Sequence, residues 1–224
     1  MRPLVILPTL DEAATVAGVI ARIGMALPDA QVLVVDDASA DGTADIARAS
    51  GAEVLARTGP RGLGHAYRAG FAWALTGGFD PIFQMDADGS HDPADLPRLI
   101  GGELVLGSRW VAGGGTRRWG ASRQALSRFG SAYARAWLGL PYRDVTGGFK
   151  AWSAALLARV APQSTLASGY AFQVEMTLRA HRLGARIVEV PIVFTEREAG
   201  ASKMSAAIAL EAARLVPGLR SVRT

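Results

Sequence analysis

FQMDADGSHDP, Phe83 to Pro93, decides how the rest of the chain is read. An apolar run, Pro81 to Met85, stops abruptly at Asp86, Ala87 and Asp88 and then breaks into Gly89 and Ser90. Such a run bounded by turn residues predicts a short buried strand whose carboxyl end carries acidic groups. Alternation along extended backbone sends Asp86 and Asp88 to one side and Ala87 to the other. Two close carboxylates repel each other, so a partner must offset their charge.

Working outward, short apolar runs alternate with helical periodicity, which predicts βα units around a largely parallel sheet. The expected strands are Leu4–Leu7, Val32–Val35, Glu53–Leu55, Ile82–Met85, Leu104–Leu106 and Ile187–Phe194. The expected helices are Glu12–Met25, Thr43–Ala49, Gly64–Leu75, Ala94–Ile100, Ser122–Trp137, Ser153–Val160, Phe172–Arg182 and Met204–Val216. With 224 residues and neither a repeat nor a clear linker, the chain reads as one α/β domain, 1–224, with a C-terminal helical elaboration. Ligands of open α/β sheets bind beyond the carboxyl ends of the strands. That rule collects Pro8 to Glu12, Asp36 and Asp37, Asp86 to Ser90, and Gly107 to Arg109 at one rim. Asp41 and Asp92 read as turn or cap residues.

Composition narrows the chemistry. Cysteine is absent, which excludes disulfides, thiolate metal sites and a cysteine nucleophile. The net charge of +4 permits an anionic partner and identifies none. The N-terminus lacks the pattern of a signal peptide, and no run of about 18 apolar residues predicts a membrane span. His65, His91 and His181 are scattered without metal-ligand spacing and read as structural.

A divalent cation shared by Asp86 and Asp88 would remove their repulsion, and hard oxygen ligands suit Mg²⁺ or Mn²⁺. An EF-hand reading of DADGSHD fails, because its sixth position is His91 where glycine is needed and its twelfth is Pro97 where a bidentate glutamate is needed. A glycosidase dyad lacks the accompanying aromatic density. GPRGLGHA, Gly59 to Ala66, is neither a Walker loop nor a dinucleotide fingerprint and reads equally well as a loop or a ligand contact. Arg109 follows a strand, Arg123 and Ser127 share a helical face beside Arg128, and Arg197 and Lys203 lie in a polar turn. Separate arginines near an acidic rim suit phosphate groups.

VILPTLDEA, VVDDASADGT, MDADGSHDP, GSRW, DVTGGFKAW, SGYAFQVEM and TEREAGASKMS occur in that order across nearly the whole chain. Together they resemble the polyprenol-phosphate (dolichol-phosphate) mannosyltransferases of glycosyltransferase family 2, with the actinobacterial form nearest. The resemblance implies a GT-A fold and inverting transfer of mannose from GDP-mannose to a polyprenyl phosphate. Pro8, Leu10, Glu12, Val35 and Asp37 would then hold the nucleoside. Asp86, Ala87 and Asp88 would approach the diphosphate and sugar, with Asp86, Asp88 and Ser90 holding Mg²⁺ or Mn²⁺. Arg109, Arg123, Ser127, Arg197 and Lys203 would bind donor and acceptor phosphates. Residues 1–110 would form the nucleotide-sugar half and 111–224 the acceptor and membrane-interface half.

Three departures accompany the resemblance. Leu10 stands where the family usually has an aromatic residue, and Asp11 replaces its asparagine, which predicts weaker stacking on the base. The stretch Leu96 to Val105 is shorter than the family pattern. The chain also ends soon after Val216, without the membrane helices of some relatives.

A phosphate monoester acceptor is already largely anionic near neutral pH, so it needs positioning more than a general base. Met204, Ile208, Ala212 and Leu215 form one apolar stripe, and Leu126, Phe129, Tyr133 and Trp137 another. Either stripe packs on the sheet or lies at a membrane surface, which would make the protein cytoplasmic and peripheral, anchored directly or through a membrane partner protein. Three other readings stand beside this one. They are transfer of another sugar, such as glucose from UDP-glucose, a sugar-nucleotide nucleotidyltransferase, and a non-catalytic nucleotide-binding module.

Overall fold

A computed structural model describes residues 1–167, 169, 171–197 and 215–221. The runs read as strands form β1 (Leu4–Thr9), β2 (Gln31–Asp36), β3 (Glu53–Ala56), β4 (Ile82–Gln84) and β5 (Leu104–Ser108). Two short strands went unread, β6 (Gly115–Arg117) and β7 (Lys150–Trp152). The expected strand Ile187–Phe194 is two strands, β8 (Ile187–Pro191) and β9 (Val193–Thr195), in different sheets. Ile192 stands between them, buried in the core with Val105 and Phe149.

The main sheet has the order β3-β2-β1-β4-β7-β5-β8. All its strands run parallel except β7, which is antiparallel to both β4 and β5. The second sheet pairs β6 with β9 in parallel. A mostly parallel sheet must be covered on both faces, which explains why its strands read as continuous apolar runs. Leu4 and Ile6 of β1 pack with Tyr67, Phe71, Trp152 and Phe172, while Val5 and Leu7 pack with Val16, Ile20 and Phe83.

The helices are α1 (Val16–Ala26), α2 (Thr43–Ala49), α3 (Leu63–Thr76), α4 (Ala121–Leu138), α5 (Ala154–Val160) and α6 (Ala171–Arg182). The first starts later than expected because Asp11 takes a left-handed φ of 56° and residues 12–15 form the loop that follows. The expected helix Ala94–Ile100 is a 3-10 segment, Pro93–Leu99, since Pro97 inside it offers no amide donor. Helix α4 buries Ser131 and Ala134 and leaves Leu126, Phe129 and Trp137 exposed. Of the expected helix Met204–Val216, residues through 214 lie outside the described residues, and 215–219 are helical with Val216 and Leu219 buried.

Candidate active site

The carboxyl ends of β1, β2, β4 and β5 converge as the sequence predicts, and each end loop is tied to its neighbour. Asp36 accepts from the Thr9 hydroxyl at 2.9 Å and from the amide and hydroxyl of Ser39 at 3.0 and 2.6 Å. Asp11 accepts from the Ala40 amide at 3.0 Å, and its own amide donates to Ser39 Oγ at 2.9 Å. The Glu12 amide donates to Thr43 Oγ1 at 2.9 Å, which fixes Glu12 beside the second loop. Asp41 and Asp92 cap backbone amides, as read from the sequence.

Asp37 is buried and pairs with Arg57, and its other oxygen accepts from the Gly62 amide at 2.8 Å. The loop at Gly59–Ala66 is therefore fastened to the rim through Asp37, a role that neither sequence reading gave it. Pro8 and Leu10 are half-buried at the end of β1. Val35 is not brought to the rim surface, because its side chain is fully buried under α3 among Ile6, Leu33 and Tyr67.

Asp86 and Asp88 follow β4 on the same side, and Ala87 turns into the core between α1 and the sheet. Thr15 Oγ1 donates to the Ala87 carbonyl at 2.8 Å and holds the turn. Asp88 Oδ1 accepts from the Ser90 amide at 3.0 Å, and Oδ2 meets Arg197 Nη2 at 3.1 Å. Part of the charge of the acidic pair is thus offset by Arg197. Asp86 remains under strain of charge: burial first, and then the Asp88 carboxylate, push its carboxyl up to about 7 against the pull of Arg197 and Arg109. About two thirds of its side chain is covered, and about a third remains exposed to a cation.

His91 lies behind the pair. Its Nδ1 accepts from the Asp86 amide at 3.2 Å, and its ring stacks on Phe149 and meets Phe194 edge-on at 5.0 Å. Burial pushes it down to about 4, so it is neutral at pH 7. This is the structural histidine that the scattered spacing predicts.

The basic residues are held in different ways. Arg109 is buried and grips Asp144 with two bonds, Nε to Oδ2 at 2.7 Å and Nη2 to Oδ1 at 2.8 Å. Its guanidinium also lies 5.7 Å from the Trp119 ring and 5.6 Å from Phe194. Burial alone would raise the Asp144 carboxyl, but the charge and hydrogen bonds of Arg109 hold it below the usual carboxylate range. Arg109 is thus a fixed charge in a salt bridge. Arg123 pairs with Glu196 and lies 4.3 Å over Trp119, with Ser127 one turn farther along α4. The β6–β9 pair carries Arg197 to Asp88, while Lys203 lies outside the described residues.

Asp86 and Asp88 suit a hard divalent cation in donor type and charge. Among the described residues no third His, Cys, Asp or Glu joins them as a metal cluster. Ser90 is buried two residues after Asp88, with its amide on Asp88 Oδ1. Sequence reasoning missed Asp144, Glu196 and Trp119, the partners that fix Arg109 and Arg123. Asp144 and Glu196 lie in the motif blocks and Trp119 between two of them, but their pairings span from 4 to 73 residues and share no common spacing.

A sheet rim with paired aspartates, backed by arginines and reached through an antiparallel strand, defines the GT-A class of nucleotide-sugar-dependent transferases. The glycosyl transferase family 2 profile matches residues 4–160, so the chain belongs to that family and is a glycosyltransferase. Among similar proteins, the undecaprenyl-phosphate mannosyltransferase of Micrococcus luteus is 49% identical over 221 residues, covering 95% of this chain and 91% of the relative. The polyprenol monophosphomannose synthase of Mycolicibacterium smegmatis is 43% identical over 215 residues, covering 91% and 81%. Glucosyl-3-phosphoglycerate synthase from Mycobacterium tuberculosis, solved with Mn²⁺, UDP and phosphoglyceric acid, superposes with a TM-score of 0.76 at 22% identity. That match covers 100% of this chain and 80% of the other, and it shows the shared fold.

Proposed function

We propose that the protein transfers mannose, with inversion, from GDP-mannose to the phosphate of a polyprenyl monophosphate at the inner face of the cell membrane. The observation that carries this reading is the acidic pair Asp86–Asp88 answered by Arg197, in a chain close to two relatives named for mannosyl transfer to such lipids. Pro8, Leu10, Glu12 and Asp37 would hold the nucleoside. Asp86, Asp88 and Ser90 would hold Mg²⁺ or Mn²⁺, which when bound supplies Lewis-acid stabilisation of the departing diphosphate.

The chain's own residues do the rest. Arg197, now on Asp88, would turn to the donor diphosphate, and Lys203 would join it. Arg123 and Ser127 would hold the acceptor phosphate, an anion that needs orientation and charge screening more than deprotonation. Arg109, clamped by Asp144, would not swing to that phosphate, and the pair would face the site as a fixed dipole with its charges largely balanced. On this reading residues 1–110 serve the donor and 111–224 the acceptor. The apolar side chains Leu126, Phe129 and Trp137 share α4 with Arg123 and Ser127, which suits an acceptor delivered from a lipid surface.

A transfer assay tests the reading, with GDP-mannose, UDP-glucose and other sugar nucleotides, polyprenyl phosphate, and Mg²⁺ or Mn²⁺ present or chelated. Mannose transfer from GDP-mannose is expected only with metal, and Asp88→Ala is expected to lose at least about 100-fold while keeping its circular dichroism. Full wild-type activity in chelator would overturn the metal assignment, and preference for UDP-glucose would overturn the donor.

A further inference from the structure

A buried row of amides ends beside Asp86. Trp152 of β7, Gln84 of β4 and Gln173 in the first turn of α6 are each at most 1% exposed. An indole N–H can only donate, so its bond sets the direction of everything that follows. Trp152 Nε1 donates to Gln84 Oε1 at 2.6 Å. That spends the oxygen of Gln84 and turns its amino group to α6, where Nε2 donates to Gln173 Oε1 at 3.4 Å. The oxygen of Gln173 is spent in turn, which leaves its amino group facing the other way. Gln173 Nε2 has no hydrogen-bond partner among the described residues.

Gly148 lies next to that amino group. A methyl group at Gly148 would lie 3.7 Å from Gln173 Nε2 and 3.5 and 3.8 Å from the two carboxylate oxygens of Asp86. The space left by the absent side chain is thus bordered by both an unspent donor and the Asp86 carboxylate, which do not bond to each other here. The turn carrying Gln173 is pinned from below, because Lys150 Nζ donates to the Gln173 carbonyl at 2.8 Å and to Thr177 Oγ1 at 3.0 Å. A donor at a fixed place beside a candidate metal-binding carboxylate is how an outer group orients such a ligand.

We propose that Gln173 is a positioning residue, whose amide, unbonded here, comes to donate to Asp86 past Gly148 when the cation and donor diphosphate bind, and so orients that carboxylate for them. The inference rests on the reading of Asp86 and Asp88 as the cation-holding pair. It assigns Trp152 and Gln84 the task of fixing which end of the Gln173 amide faces the site.

Two variants interrupt the contact independently. Gln173→Met keeps the bulk and removes the donor, while Gly148→Ala keeps the donor and fills the gap at ordinary contact distances. Binding of Mn²⁺ in the presence of GDP or UDP is measured by calorimetry and by electron paramagnetic resonance, and kcat and KM are measured alongside. Both variants are expected to weaken Mn²⁺ binding about 10-fold. They are also expected to lower kcat, with KM for the sugar nucleotide within about 2-fold, while thermal unfolding of the metal-free protein stays unchanged. Wild-type Mn²⁺ affinity in either variant overturns the inference. Wild-type protein that binds no Mn²⁺ with nucleotide overturns the underlying reading of the carboxylates, and the inference with it.

Discussion

At the scale of single residues, the site turns on how much charge a short acidic turn tolerates. Asp88 is answered by Arg197, whereas Asp86 is raised to about 7 by burial and by Asp88. A folded value above the unfolded one means the native state binds more protons between roughly pH 4 and 7. That stabilising contribution is complete below about pH 4 and is lost as pH rises through about 7. His91 and Lys150, which burial lowers to about 4 and about 7, contribute slopes of the opposite sign. The Asp86 contribution is therefore read as the difference between wild type and Asp86→Asn. Calorimetry from pH 4 to 8 is expected to show wild type losing stability relative to Asp86→Asn as pH rises. A cation needs the ionised carboxylate, so Mn²⁺ affinity in the presence of nucleotide is expected to climb to about pH 7 and then level off.

Elements decide which arginines are structural and which can move. Arg109, at the end of β5, and Asp144, in the loop before β7, form a pair buried on both sides. Removing one partner leaves an uncompensated charge, so Asp144→Ala is expected to cost roughly 3–5 kcal/mol in urea unfolding. Arg123, on α4, and Glu196, just after β9, are each about a third exposed or less. Arg123→Ala is expected to stay within about 1 kcal/mol of wild type in the same experiment while transfer falls. That contrast separates loss of fold from loss of acceptor binding.

Those elements were unequally legible. Strands β1, β2 and β4 announce themselves because a parallel sheet buries both faces and leaves apolar runs, and MDADGSH marks the end of one of them. Lys-Ala-Trp at 150–152 offers no such signal. It is a strand only because β4 and β5 flank it, and its lysine is buried because Gln173 and Thr177 accept from it. Asp86, Asp88 and Arg197 were legible as site candidates from their motif blocks. Asp144, Glu196 and Gln173 were not, since their importance arises from partners up to 89 residues away.

For the whole molecule the proposed acceptor raises the question of how this domain would reach a lipid. Among the described residues no helix is long and apolar enough to cross a membrane. Phe129 is 70% exposed on α4, flanked along the helix by the exposed Leu126 and Trp137. Binding to vesicles containing anionic lipid is expected to fall several-fold in Phe129→Glu and to weaken with rising salt, as co-sedimentation would show. Wild-type protein that fails to pellet with such vesicles would instead favour delivery by a membrane-anchored partner.

The sequence by itself determined the alternation of strands and helices, the rim at the strand ends and the acidic turn at Asp86–Asp88. Those features are written in local periodicity and in residue type, which physics reads over a few positions. Only the tertiary structure decided that Arg109 is locked to Asp144, that Val35 is core, that Leu126, Phe129 and Trp137 face outward, and that a directed row of amides ends beside Asp86. Each of these depends on distant segments meeting, where burial and the one-way chemistry of a donor fix what a side chain can do.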